Sequence, residues 1–436
     1  MNYIIKNSKD LVKRSDVKYN LKSIRTINDY WLLEDLKEVI VRDPMCYGFQ
    51  YCAEGIPLIR ISDLRQPFID YSNIAYISKN IHNKFTKTHL EKMDILMSVR
   101  GVSIGKIGIY LGEYNEANIS PNIIIIRLKD KELAPYICMF LIASLGQEQI
   151  KRFIAGSSKP TITAPLINAI KIPKTDKQFI RQINQIFWDT YKINCEAVPK
   201  ESKAQDEIRK ICCGLEYGAK LTYDINLSEE QRWDPHFHNP KYQKLREGLN
   251  RINCSKISDI CENISNVVDN KMIEEKIGYI EISSINNLNA QIEEIKVDYI
   301  KRLPSGGKIP LKDKYLLIPK VRPYRNANTI YKISGNYICT ASKNAFSVYS
   351  TDRYNYPYYV LAFLRSYYGV NQIIMYQSGT SYPTVSDEDI KEIKIPVISD
   401  DLASRIDKNY KYYMESKEKE KHQIQRIISL INECLI

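Results

Sequence analysis

Short apolar runs separated by polar turns open the first half of the chain. Pro57 to Ile61 and Ile95 to Val99 predict short strands, and Ala117 to Leu128 predicts a longer one after the Asn115-Glu116 turn. From Pro135 to Gln149 the apolar positions Tyr136, Met139, Phe140, Ile142 and Leu145 change to helical spacing, and Pro135 suits a first helical turn. Pro357, Leu361, Phe363 and Leu364 repeat that spacing later in the chain. Asn239-Pro240 predicts another helix start, followed by Tyr242, Leu245, Leu249 and Ile252.

Two stretches predict long helices. Asp400 and Asp401 suit a helix N-terminus. Behind them Leu402, Ile406, Tyr410, Tyr413, Lys417, Glu420, Ile424, Ile427, Ile431 and Leu435 follow a heptad-like seam that Lys417 and Glu420 interrupt. After Pro173, a second seam runs through Ile180, Ile183 and Phe187, then Ile208, Ile211 and Leu215. Pro199 lies within it. A proline inside a helix costs about 3 kcal/mol, so a break or bend is expected near Ala197 to Glu201.

The repetition extends from pattern to residues. Arg14 to Tyr19 matches Arg232 to Phe237, Arg60 to Leu64 matches Glu281 to Ile285, and Ile95 to Arg100 matches Leu316 to Arg322 with one residue inserted. Ser120-Pro-Asn122 matches Ser342-Lys-Asn344, and Pro135-Tyr136 matches Pro357-Tyr358. Gly156 to Ile162 matches Gly379 to Val385, and Ile170-Lys-Ile-Pro173 matches Ile393-Lys-Ile-Pro396. Seven matches in one order, with an offset drifting only from 218 to 223, describe a duplicated domain, not a solenoid. The expected fold is α+β: two tandem mixed domains, each followed by a long helix. The two helices are expected to pair as an antiparallel coiled coil about a pseudo-two-fold axis. The expected boundaries are 1–174, 175–217, 218–396 and 397–436.

Composition adds a partner class. The 436 residues carry a net charge of +12, the mark of a polyanion binder. Tyrosine is abundant, at 32 against 10 phenylalanines, which suits a wet interface and also AT-rich coding. The ten cysteines form no CxxC pair and no zinc-spaced cluster, and His236 and His238 have no further His or Cys near them. The N-terminal residues show no leader pattern and no 18-residue apolar stretch occurs, so a cytoplasmic protein with reduced thiols is expected.

Three segments together carry a family resemblance: Asp94-Ile-Leu-Met-Ser-Val-Arg-Gly-Val-Ser-Ile-Gly-Lys106, Gly156-Ser-Ser-Lys-Pro-Thr-Ile162, and Ile170-Lys-Ile-Pro173 with its following helix. Their order, spacing and duplication resemble the specificity subunit of a type I restriction–modification system. The resemblance implies two target-recognition domains, each reading one half of a bipartite double-stranded DNA site. It implies spacer helices that dock two adenine-N6 methyltransferase subunits, and restriction/translocase subunits that join for cleavage. It places no cofactor on this chain: S-adenosylmethionine belongs to the methyltransferase, ATP and Mg to the restriction subunit.

Small residues let backbone N–H groups approach phosphates, which marks Gly101, Ser103, Gly105 and Lys106, with Arg100 adding a fork for guanine or phosphate. Ser157, Ser158 and Lys159 after Gly156, and Thr380, Ser381 and Tyr382 after Gly379, have the same character. Ordinary turns would look alike. In the second repeat the first loop is Lys320-Val-Arg-Pro-Tyr-Arg325, without the glycines, and Lys320, Arg322, Arg325 and Asn326 are its candidates for DNA contact. Lys84 and Lys87 are either phosphate-facing or merely solvated. No catalytic set is legible. Ser305-Gly-Gly-Lys308 lacks Walker spacing, Asp234-Pro-His-Phe237 only echoes a methyltransferase tetrapeptide, and Glu392-Ile-Lys394 has nuclease-like spacing without an equivalent glutamate beside Lys171. A stand-alone restriction endonuclease and the specificity subunit of a type IIB-like or phage-exclusion complex are the alternatives.

Overall fold

Four consecutive isoleucines, Ile123 to Ile126, are β-branched and too few for a buried helix, and they form a central strand. The computed structural model describes residues 27, 29–41, 50–101, 103–154, 160–216, 218, 222–223, 236–267, 276–304, 307–332 and 338–434. The expected Arg14–Tyr19 match and Leu435 lie outside the described residues. Contacts divide the chain into one unit of 1–192 with 420–436 and a second of 193–419.

Unit one holds strands β1 (Tyr30–Leu32), β2 (Lys37–Val41), β3 (Ile56–Ile59), β4 (Ala75–Ile77), β5 (Asp94–Ser98), β6 (Ile107–Tyr110), β7 (Asn118–Ile119), β8 (Ile123–Leu128) and β9 (Lys171–Pro173). An antiparallel sheet runs β2-β8-β5-β6, a second sheet runs β4-β3-β7, and β1 pairs with β9. The strand expected over Ala117–Leu128 is therefore two strands in different sheets. The Ser120-Pro121 step turns the chain between them, closed by Ile123 N–H on the Ser120 carbonyl at 3.1 Å.

The helices are α1 (Leu33–Leu36), α2 (Lys79–Lys84), α3 (Ala134–Ile142), α4 (Ser144–Phe153), α5 (Ala164–Asn168) and α6 (Lys177–Ile211). The single helix expected over Pro135–Gln149 is broken at Ala143, whose ψ of 164° is extended. Gly146 makes the corner possible, because a Cβ there would lie 2.2 Å from the Phe140 carbonyl oxygen.

Unit two repeats the strands of unit one, one for one. Its helix α7 (Pro240–Arg251) starts where expected, with Asn239 accepting Lys241 N–H. Then come β10 (Cys254–Lys256), α8 (Ile257–Ile260), β11 (Glu262–Asn263), β12 (Lys276–Ile280), β13 (Lys296–Tyr299), β14 (Tyr315–Pro319), β15 (Thr329–Ile330), β16 (Ile338–Thr340) and β17 (Phe346–Ser350). Helices α9 (Pro357–Arg365), α10 (Tyr367–Met375) and α11 (Asp387–Lys391), strand β18 (Lys394–Pro396) and helix α12 (Asp400–Glu433) complete it. The sheets have the same orders, β11-β17-β14-β15, β13-β12-β16 and β10-β18. The same helix corner recurs at Ser366, where a Cβ on Gly369 would lie 2.2 Å from the Phe363 carbonyl oxygen.

Each core takes a piece of both long helices. In unit one, Ile183 and Phe187 of α6 pack in the same cluster as Ile427 and Ile431 of α12. In unit two, Ala197, Ala204 and Ile208 of α6 join Ala403, Ile406 and Tyr410 of α12. Within unit two the pairing is antiparallel: Glu207 meets Arg405 at 3.6 Å, and the Tyr412 hydroxyl donates to Glu196 at 3.0 Å. The polar interruption at Lys417 and Glu420 coincides with the change of unit along α12. This division differs from the expected one helix per domain, because each seam supplies apolar residues to both cores.

The break expected at Pro199 does not occur, and α6 is one helix from Lys177 to Ile211. Pro199 and Cys195, four residues before it, are both exposed, so water can satisfy the carbonyl that the proline leaves unpaired.

Two outcomes follow from these contacts. Gly369→Ala should lower stability by about 1–3 kcal/mol in urea unfolding, since the added methyl meets a backbone oxygen that cannot yield. His82 is buried and stacks on His89 at 3.6 Å. Burial first, then His89 and Lys79, hold its imidazole below the ordinary 6.5, against the pull of Glu116. The unfolded chain thus binds the proton more readily, and stability should fall as pH drops below about 6.5. His82→Asn should flatten that acid-side loss when urea midpoints are compared across pH.

Candidate nucleic-acid interface

Both units bring their two candidate loops together by the same backbone hydrogen bonds. In unit one, Gly101 N–H donates to the Pro160 carbonyl at 3.3 Å and Ile162 N–H to the Val99 carbonyl at 3.1 Å, around an Arg100–Thr161 bridge. In unit two, Arg322 N–H donates to the Pro383 carbonyl and Val385 N–H to the Lys320 carbonyl, each at 2.8 Å, around a Val321–Thr384 bridge. The segments between β5 and β6 and before α5 are far apart in sequence, and this ladder makes them one surface.

The ladder also corrects the alignment of the repeats. Ile95 faces Ile126 and Leu316 faces Tyr349, so β5 and β14 correspond with no inserted residue. Val99, Arg100 and Gly101 therefore stand where Lys320, Val321 and Arg322 stand. Gly101 has φ +86° and Arg322 φ +49°, both in the left-handed region.

In unit one the loop is closed from below. Ser98 accepts Lys106 N–H on its hydroxyl at 2.9 Å and donates to the Ser103 carbonyl. Asp94 is buried and holds Arg127 through two bonds of 2.8 and 2.7 Å, so the motif's acid and serine are both structural. Arg100 is exposed, while Ser103 and Lys106 are half-buried. Burial, then Arg65, lowers the Lys106 ammonium below its usual value. Ser157, Ser158 and Lys159 lie outside the described residues.

Unit two departs in its side chains. Lys320 occupies the buried place of Val99 and is only 8% exposed, with its ammonium 2.7 Å from Asp387. An ammonium at a core position needs an internal partner, and Asp387 is that partner. Asn326 is likewise turned inward. Its amide donates to the Arg365 carbonyl at 3.1 Å and accepts from Asn328 at 3.0 Å, so it braces the loop. Arg325, Thr380, Ser381 and Tyr382 are exposed, and the Arg322 guanidinium lies 5.4 Å from the Tyr382 ring centroid.

Reading the sequence missed Arg365, Asp387 and Tyr324. Arg365 donates to the carbonyls of Asn326, Asn328, Asn287 and Leu288 and to the Tyr410 hydroxyl, tying this loop to a neighbouring turn. Its counterpart in unit one is Ile142. A signal existed: a lone arginine ends an apolar helix whose twin ends in isoleucine. Tyr324 is 51% exposed beside Arg325.

The other candidates are engaged elsewhere or undecided. Glu392 pairs with Lys256 at 2.7 Å and Lys394 bonds Asn250, so the nuclease-like spacing is a pair of surface contacts. His236 contacts the Ile374 carbonyl at 3.1 Å, and among the described residues no group of three His, Cys, Asp or Glu is placed to hold a metal. Lys84 and Lys87 are exposed. Asp234 and Ser305 lie outside the described residues.

Removing the Arg365 clamp should loosen one loop only. In Arg365→Met, the amides of Arg325 and Asn326 should exchange hydrogen at least tenfold faster by mass spectrometry, with those of Gly101 and Gly105 unchanged.

No family model matches the chain. Over 197 residues it is 28% identical to the type I restriction enzyme EcoBI specificity subunit of Escherichia coli, a match covering 42% of this chain and 40% of that protein. The match thus spans about two fifths of the length of the curated relative. Among solved structures, the S subunit of a type I restriction–modification system from M. genitalium aligns with 95% of this chain and 96% of its own, at 14% identity and a TM-score of 0.43. The HsdS subunit from Thermoanaerobacter tengcongensis aligns with 93% and 95%, at 11% identity and a TM-score of 0.30. No helix among the described residues is long and apolar enough to cross a membrane. In sequence, over this part of its length, the chain is similar to a type I restriction–modification specificity subunit.

Proposed function

We propose that the chain is the DNA-specificity subunit of a type I restriction–modification complex. The observation that carries this reading is the complete duplication of one unit, strand for strand, with the same two loops laced together in both. A duplicated reader suits a bipartite site. Different side chains on the two laced loops suit an asymmetric one. The positive net charge of +12 supports a polyanionic partner, and the similarity to a curated specificity subunit supports the same assignment.

In this reading the recognition domains lie in 1–174 and 218–396. The helical segments 175–217 and 397–436 set the spacing between half-sites and dock two adenine-N6 methyltransferase subunits. The methyltransferases use S-adenosylmethionine, and restriction subunits use ATP and Mg²⁺. The chain itself binds and orients DNA and does no bond chemistry. Exposed arginine forks recognise base edges or phosphates, and exposed hydroxyls on the Gly-Thr-Ser-Tyr loop donate to phosphate oxygens. No observation favours the stand-alone endonuclease over this reading.

Deleting the gene should remove one bipartite methyladenine motif from the host genome, read by long-read modification sequencing. An unchanged set of motifs would refute the assignment. The pure chain should neither methylate DNA with S-adenosylmethionine nor cut it with Mg²⁺. Its DNA affinity should fall log-linearly with salt.

A further inference from the structure

Arg322 is the one arginine of the two laced loops that is restrained at both backbone and side chain. Its backbone sits at φ 49° and ψ 56°, a left-handed conformation that an L side chain adopts at a cost. The equivalent position in unit one is Gly101, which meets no such cost. The conformation persists because Arg322 N–H is bonded to the Pro383 carbonyl and its own carbonyl accepts Arg325 N–H at 3.0 Å. The Tyr382 ring, 61% exposed, lies against the guanidinium.

Among the described residues no group pairs with the guanidinium. Its Nε is shielded from solvent without an acceptor, so the fork it can offer a partner is its two Nη groups. The neighbouring cations differ. Lys320 is neutralised by Asp387, and Arg365 donates to four carbonyls and a hydroxyl. Arg325 is exposed, and among the described residues no ring or acceptor restrains its side chain.

We propose that Arg322, held on Tyr382, reads a guanine in the half-site recognised by unit two. This rests on the DNA-reading assignment above and sharpens it to one residue and one base. A phosphate is recognised well by a flexible cation. A guanine edge presents O6 and N7 in fixed positions, and it rewards a planar fork whose direction is set before binding. Backbone restraint and the Tyr382 ring beside the guanidinium together give Arg322 that preset direction. Unit one has glycine at this position and cannot make the same reading, so the dependence is confined to one half of the site.

The test is selection of duplexes from a random library by the full-length chain at fixed salt. The wild type should enrich a two-part sequence. Arg322→Gly, a residue the twin position already accommodates, should lose preference for one guanine in one half by about 10- to 100-fold. The other half should be unchanged, and so should affinity for duplexes lacking that guanine. Arg322→Gln is the second variant and should lose the same preference. Tyr382→Phe should behave as wild type, while Tyr382→Ala should weaken discrimination at that base alone. Equal loss on every sequence would make Arg322 a phosphate contact and overturn the inference, as would an unaltered guanine preference. A wild type that enriches no sequence would overturn the DNA-reading assignment itself, and this inference with it.

Discussion

The Ile-Pro of each Lys-Ile-Pro strand is buried, and each unit is arranged around pairing that strand's backbone groups. On one side β9 pairs with β1, and β18 with β10. On the other, a single glutamine replaces a strand. Gln149 accepts Lys171 N–H and donates to the Lys171 carbonyl, both at 2.9 Å, and Gln372 does the same for Lys394 at 2.9 and 3.0 Å. Tyr136 and Tyr359 donate to the last carbonyls, of Pro173 and Pro396. Leaving a buried backbone group unpaired costs about 1–3 kcal/mol, so these four side chains are not interchangeable with apolar ones. The result is that the first and last described strands of each unit meet where a long helix begins.

That common frame lets the loops diverge. The ladder that the two units share is made of backbone hydrogen bonds, so it survives the exchange of Val99 for Lys320 and of Gly101 for Arg322. Divergence still has local consequences. A lysine at a core position requires Asp387, and a loop without the glycines requires the Arg365 clamp and the inward amide of Asn326. Unit one instead relies on the Ser98 closure and the Asp94–Arg127 pair, where unit two has Pro319, Tyr315 and Ser350.

Much of this was legible because repetition filters noise. The matched Lys-Ile-Pro strands and the apolar helices after Pro135 and Pro357 correspond in the structure. Four readings failed for physical reasons. A continuous apolar pattern conceals the helix corner at Ala143, because burial on both sides of a turn leaves no polar signal, whereas the single strand drawn over Ala117–Leu128 passes over the polar Ser120-Pro121-Asn122 turn that separates the two sheets. Pro199 was read as a break, yet on an exposed helix face its missing hydrogen bond can be made up by water. The matching of Arg100 with Arg322 followed residue identity, whereas strand register pairs Arg322 with Gly101.

The sequence by itself determined the duplication, the element types and the two long amphipathic helices, since these rest on periodicity and local propensity. It also marked the loops that carry exposed cations. Only the tertiary structure decided which cations are available. Lys320 and Arg322 are two residues apart on one loop, yet one is neutralised inside and the other is held on an exposed ring. That difference depends on Asp387 and Tyr382, more than fifty residues away in the chain. No local pattern encodes such distant partners, and packing alone brings them to the site.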